Sequence, residues 1–139
     1  MVARPASPAR KGIQMTDRTI RPLMAVNRDD VEWEGTRFGT TFVKVLSFRD
    51  GVNWEICKYE QGAHTFPHQH GFRQLRYILA GEFEMNGQTY GPGTLVDFPA
   101  LTEYEVTCKT GGELIILQMP DSATGEAPVD PTGKAYDKA

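Results

Sequence analysis

The pattern that most constrains the fold is a succession of short apolar or alternating runs, separated by glycine, proline, asparagine and aspartate. Runs of this length suit β-strands with a half-buried face and are too short for helices with a packed face. The expected strands are residues 40–48, 54–60, 68–70, 74–79, 82–85, 88–90, 94–98, 104–109 and 113–119. Asn86-Gly87 predicts a type I′ hairpin, because both residues tolerate positive φ. The pattern therefore predicts an all-β sandwich or barrel.

The length and composition limit the number of domains. A chain of 139 residues with 40% hydrophobic residues can form one core, and not two. We expect a domain over 29–120, a flexible N-terminal arm over 1–28 and a C-terminal tail over 121–139, since both ends are polar and rich in proline. Met1 and Met15 are both candidate translation starts, and we expect residues 1–14 to be dispensable for folding.

The charge and the apolar pattern disfavour two classes of partner. A net charge of -3 provides no basic surface to attract nucleic acid. No apolar stretch reaches the roughly 18 to 20 residues that span a bilayer, so we expect no membrane insertion. The two cysteines, Cys57 and Cys108, lack metal-site or redox-motif spacing and are expected to be free thiols in a reducing cytoplasm.

All three histidines of the chain lie close together, at His64, His68 and His70. On an extended strand, His68 and His70 would point to the same face about 6 to 7 Å apart, which one metal ion can bridge. The alternative is a polar, exposed strand face. His64 precedes the pair in an expected loop, where it either folds over the pocket mouth as a further ligand or lies in solvent.

The spacing of Gly62, His68, His70 and Gly81 resembles the first signature motif of the cupin superfamily, in which a glutamate stands where this chain has Gln74. The second cupin motif is matched only by Gly93 and Pro99. Tyr104 stands where that motif has its histidine, Cys108 where it has its asparagine, and Leu101 where it has a glycine. The resemblance spans residues 31–119.

The resemblance implies an all-β double-stranded β-helix, the cupin jelly-roll barrel, and a homodimer. It also implies a divalent metal ion (Fe, Mn, Ni or Zn), with His68, His70, Gln74 and His64 as the candidate ligands. A neutral phenol is a poor ligand for a divalent metal. Tyr104 is therefore expected to act as a hydrogen-bond donor or general acid beside the ion.

Arg76 shares the strand face of Gln74, because alternate residues of a strand point the same way. If Gln74 points inward, Arg76, Ile78 and Ala80 do so too. A buried arginine needs an anionic or hydrogen-bonding partner. The partner is either a ligand carboxylate or an internal glutamate such as Glu82, Glu84 or Glu105.

Three functions are compatible with these residues. The first is a metal-dependent enzyme for a small oxygen-rich or carboxylated molecule, of the dioxygenase, lyase or isomerase type. The second is a non-catalytic cupin that binds a small ligand through a degenerate metal site. The third is a metal-free enzyme in which Tyr104 and a histidine act as acid and base.

Overall fold

A computed structural model describes residues 23–129. Residues 1–22 and 130–139, which include most of the expected arm and half of the expected tail, lie outside the described part. A 3-10 helix over Arg28–Asp30 precedes ten strands. They are β1 (Glu34–Gly35), β2 (Thr41–Arg49), β3 (Val52–Tyr59), β4 (Ala63–His68), β5 (Arg73–Ala80), β6 (Phe83–Met85), β7 (Gln88–Tyr90), β8 (Leu95–Phe98), β9 (Tyr104–Cys108) and β10 (Gly112–Met119).

The strands form two antiparallel sheets. The larger sheet has the order β1-β2-β3-β10-β5-β8, and the smaller has the order β4-β9-β6-β7. The hydrophobic core consists of the inward side chains of both sheets, among them Val43, Ile78, Phe83, Val106 and Leu114. These residues recur at alternate positions of their strands, as expected for sheets with one buried face. The prediction of an all-β domain is confirmed.

The alternation on β5 follows the expected period of two over most of the strand. Gln74, Arg76 and Ile78 are buried, whereas Tyr77 and Leu79 are exposed. Ala80 was expected to point inward but is exposed. The register between β5 and β10 shifts near this end of the strand, and a bulge interrupts the alternation of faces.

The strand that carries the histidines differs from the expected one. Strand β4 begins at Ala63 and ends at His68, so His64 lies within the strand and His70 lies in the connection to β5. The expected strand over 68–70 is therefore wrong. The inward residues of β4, Ala63 and Thr65, are small or polar, and apolar alternation gives no signal for such a strand.

The turn over Asn86-Gly87 joins β6 to β7, with Met85 paired to Gln88. Asn86 has a φ of 51° and Gly87 a φ of 84°, as a type I′ turn requires. The hairpin prediction is confirmed.

The described part of the C-terminal segment packs on the domain beside the histidines. The Thr124 hydroxyl donates a hydrogen bond to the carbonyl oxygen of Gly71, and Val129 reaches the cavity between the sheets. No helix within residues 23–129 has the length and hydropathy to cross a membrane.

Candidate functional site

A cavity of about 480 Å³ lies between the two sheets. This volume is within the usual range for sites that bind small organic molecules. The six-stranded sheet contributes Val43, Cys57 and Ile116 to its wall. His68 and Tyr104 line it from the four-stranded sheet, where they are paired on β4 and β9.

The two expected histidines converge on this cavity. The ring centroids of His68 and His70 are 5.1 Å apart. His68 Nδ1 lies 2.7 Å from the carbonyl oxygen of Phe66, which can only accept a hydrogen bond. Nδ1 therefore carries the proton, and Nε2 retains its lone pair. The ring of His70 stacks on Phe72, with centroids 4.6 Å apart.

Both histidines are neutral near pH 7. Burial lowers the pKa of His70 to about 4, and the charges of His68, Arg76 and Arg37 act in the same direction. Burial also lowers the pKa of His68, against a smaller opposite effect of its hydrogen bond to Phe66. A neutral imidazole offers a lone pair to a proton or a metal ion.

Arg76 is buried in the wall of the cavity, at 5% exposure. Its Nη1 donates to the Tyr59 hydroxyl at 3.2 Å, and its Nη2 donates to the Tyr104 hydroxyl at 3.0 Å and weakly to Gln74 Oε1 at 3.5 Å. The guanidinium carbon also lies over the rings of Phe98 and Tyr104. Arg76 Nε has no hydrogen-bond partner in the described part of the chain. The expected inward orientation of Arg76 is thus observed, and its described hydrogen bonds go to hydroxyl and amide oxygens.

Tyr104 lies at the start of β9 and is almost fully buried. Its hydroxyl oxygen accepts hydrogen bonds from Arg76 Nη2 and, at 2.8 Å, from Gln74 Nε2. A phenol oxygen has two acceptor lone pairs and one hydrogen to donate. Both lone pairs are engaged, so the hydroxyl hydrogen is available to an acceptor in the cavity.

Gln74 belongs to a row of three amides that crosses three neighbouring strands. Gln118 of β10 is paired with Asn53 of β3 on one side and with Gln74 of β5 on the other. Asn53 Nδ2 donates to Gln118 Oε1, and Gln118 Nε2 donates to Gln74 Oε1, both at 2.9 Å. Asn53 Nδ2 also donates to the buried carboxylate of Glu55. The row fixes the orientation of the Gln74 amide, with its Nε2 toward Tyr104.

Sequence analysis did not identify the amide row. Gln118 follows the uninterrupted apolar run Leu114-Ile115-Ile116-Leu117. Because every residue of this run is apolar, it does not show whether the even- or the odd-numbered residues face the core. Asn53 lies just outside the strand expected over 54–60. The pairing of β10 with both β3 and β5 is the information that brings these side chains together.

His64 is not brought to the cavity. Its side chain lies on the exposed side of β4, where Nδ1 is 2.7 Å from Thr107 Oγ1 and Nε2 is 3.4 Å from Glu105 Oε2. His64 and His68 are four residues apart, and on a regular strand this even separation would place both side chains on the same face. The β4–β9 register, however, shifts between Thr65 and His68. The bulge reverses the alternation of faces, so the expectation that His64 adds a ligand is not met.

The residues at the site do not fit the four-ligand metal centre that the cupin resemblance implies. His68 and His70 can each offer a nitrogen. The oxygen atoms of Gln74 and Tyr104 already accept hydrogen bonds from Arg76, a permanent cation that would repel a divalent ion. Residues 23–129 contain no group of three or more His, Cys, Asp or Glu side chains that could bind a metal ion.

Comparison with solved structures identifies the fold. An RmlC-like cupin from Shewanella frigidimarina NCIMB 400 is 25% identical, with a TM-score of 0.64 over 70% of this chain and 90% of that one. The chain belongs to the cupin superfamily. The expected cupin jelly roll is thereby confirmed. No protein-family model and no curated protein matches this cupin in sequence.

Two further cupin structures are similar in fold at lower identity. The polyketide cyclase RemF from Streptomyces resistomycificus is 18% identical, with a TM-score of 0.64 over 84% of this chain and 89% of that one. A predicted oxalate decarboxylase from Thermotoga maritima is 20% identical, with a TM-score of 0.59 over 68% and 97% of the two chains. Similar cupins thus include proteins named as enzymes of different classes.

Proposed function

We propose that this cupin binds a small organic molecule with a carboxylate or enolate group, which is held by Arg76 and Tyr104. The observation that carries this proposal is the buried guanidinium of Arg76 in the cavity wall. Burying a permanent cation is costly, and an anionic ligand at hydrogen-bonding distance offsets that cost. The Tyr104 hydroxyl, whose lone pairs are both engaged, adds a second donor for the same anion.

The hydrogen-bond donors of Arg76 and Tyr104 support an anion at this position. The Gln74 oxygen faces Gln118 and Arg76, and its amide nitrogen faces Tyr104, so the available hydrogens belong to Arg76 and Tyr104. A dioxygenase or Lewis-acid step needs more ligands than two imidazoles. We therefore base no step on a metal ion.

A binding experiment with matched ligands tests the proposal. Cyclohexanecarboxylate is the charged ligand, and cyclohexanemethanol is its uncharged counterpart. At pH 7.5, Arg76→Met should weaken binding of the carboxylate about ten- to a hundredfold in titration calorimetry, because a charge-assisted hydrogen bond contributes about 1.5 to 3 kcal/mol. Binding of the alcohol should change little.

The control for this experiment is Arg73→Met on the same strand. Arg73 is exposed on the outer face, where it forms an ion pair with Asp97. This variant should retain the affinity for the carboxylate. Equal affinity of the wild type for the acid and the alcohol, or equal losses in both arginine variants, would contradict the proposal. Denaturation midpoints of both variants show whether a loss reflects unfolding.

A second candidate function is an acid–base step on the bound anion, without a metal ion. It is favoured by the facing positions of His68 and Tyr104, whose ring centroids are 4.4 Å apart. His68 Nε2 would accept a proton from the carbon next to a carbonyl, and Arg76 and Tyr104 would stabilise the enolate oxygen. Exchange of the methyl protons of pyruvate in D₂O, measured by NMR, should then depend on the protein and be lost in His68→Gln.

A further inference from the structure

Aromatic rings form one continuous side of the cavity. We call this side the aromatic wall, and its members are Phe38, His68, His70, Phe72 and Tyr104. His68 is central, with ring centroids 5.2 Å from Phe38, 5.1 Å from His70 and 4.4 Å from Tyr104. Phe72 extends the wall beyond His70.

The aromatic wall is assembled from three separate parts of the chain. Phe38 lies between β1 and β2, His68 ends β4, His70 and Phe72 lie in the β4–β5 connection, and Tyr104 begins β9. A repeated pattern on one strand therefore does not explain it. Phe38 and Phe72 are only partly buried, so their rings do not simply fill the core.

The opposite side of the cavity combines aliphatic side chains with Thr41, Glu55, Tyr59 and Gln118. Val43, Cys57 and Ile116 project from the inner face of the six-stranded sheet. A molecule between the two sides would have side-chain methyl groups among polar groups on one surface, and ring faces and edges on the other. Aromatic rings prefer to pack against other rings in offset or edge-to-face arrangements, which favours a flat ligand.

Positive charge is present beside two members of the aromatic wall. Arg76 lies over the ring of Tyr104 at 5.1 Å, and the exposed Arg37 lies over the ring of Phe38 at 5.0 Å. A negatively charged molecule approaching from solvent is attracted to Arg37 first. Its carboxylate would then reach Arg76, with its ring beside His68 and Tyr104.

We infer that the ligand of this cupin is an aromatic or otherwise flat, conjugated carboxylate, with its ring against the aromatic wall and its carboxylate at Arg76. This inference rests on the proposed function and adds the substrate class. It identifies Phe38 and Phe72 as residues that determine specificity.

The test compares benzoate with cyclohexanecarboxylate at pH 7.5, where both are anions of similar size. Benzoate should bind about five- to tenfold more tightly, as aromatic contacts add to the burial of apolar area. Phe38→Leu and Phe72→Leu keep an apolar side chain but remove a ring, and each should reduce this ratio at least about twofold. Tyr77→Leu removes an exposed ring on the outer face of β5 and should leave the ratio unchanged.

The possible outcomes separate the inference from the proposed function. If both acids bind with equal affinity and both need Arg76, the aromatic inference is wrong and the anion site stands. If neither acid binds, both are wrong. Nuclear Overhauser effects from bound benzoate give a readout independent of any variant. They should reach the ring protons of Phe72 and Tyr104, and contacts confined to the outer face would overturn the inference.

Discussion

Arg76 Nη2 and the Tyr104 hydroxyl oxygen lie 3.0 Å apart and join the two sheets across the cavity. Arg76 belongs to β5 of the six-stranded sheet, and Tyr104 belongs to β9 of the four-stranded sheet. The same hydroxyl accepts a hydrogen bond from Gln74, which is also on β5. One phenol oxygen thus satisfies two buried donors of the facing sheet.

We predict that Tyr104→Phe lowers the free energy of unfolding by about 1 to 3 kcal/mol, because it leaves two buried donors without their acceptor. Urea denaturation measures the change. Tyr77→Phe, which alters an exposed ring on the outer face, is the control and should have the stability of the wild type. Equal stabilities of the two variants would show that the hydroxyl does not contribute.

Metal binding should be weak and should depend on both cavity histidines. Two imidazoles are fewer protein ligands than stable zinc sites use. Titration of untagged protein with Zn²⁺ should give weak binding that is abolished in His68→Ala and in His70→Ala. His64→Ala should behave like the wild type, because His64 interacts with Thr107 and Glu105 outside the cavity. Stoichiometric metal retained by both cavity variants would contradict this assignment.

The low pKa of His70 predicts that the protein loses stability as the pH falls. The folded pKa is about 4 and the ordinary value is 6.5, so between these values the unfolded chain binds more protons than the folded one. Folding stability is therefore fully present above about pH 6.5 and decreases toward pH 4. The lowered pKa of His68 acts in the same direction.

Urea denaturation at pH 7 and pH 5 measures this dependence. His70→Gln does not titrate and should lose less stability than the wild type between the two pH values. Tyr77→Phe, which alters an exposed ring on the outer face and removes no histidine, should lose as much as the wild type. The same loss in the wild type and in His70→Gln would mean that other groups account for the dependence.

Gly81 and Gly87 give a matched pair, with φ values of 86° and 84°. An added Cβ at Gly87 meets nothing within 4 Å, whereas at Gly81 it would lie 2.2 Å from the carbonyl oxygen of Gly111. Gly87→Ala should cost about 1 kcal/mol from the positive φ alone. Gly81→Ala should cost about 2 to 4 kcal/mol, since the Gly111 backbone must also move. Equal losses of stability in the two variants, measured by thermal or chemical denaturation, would contradict the close approach of Gly81 to the Gly111 backbone.

The cupin resemblance and the alternation of side chains along a strand were sufficient to predict much of the fold and part of the site. The inward orientation of Gln74 and Arg76 follows from alternation, because β5 is long and regular before its bulge. His68 and His70 converge as expected, although His70 lies in the β4–β5 connection and not on the expected strand. The homodimer, the cytoplasmic location and the domain boundaries remain predictions.

The sequence by itself determined most of the strand pattern, the presence of the histidine pair and the inward face of β5, because these depend on residues adjacent along the chain. Only the tertiary structure decided which atoms face one another. A bulge of β4 relative to β9 placed His64 outside, and the strand order brought Gln118 between Asn53 and Gln74. The contact of Arg76 with Tyr104, on which the proposed anion site rests, joins strands of opposite sheets. Neither a bulge nor a contact between sheets leaves a periodic signal, because both depend on residues far apart in the sequence.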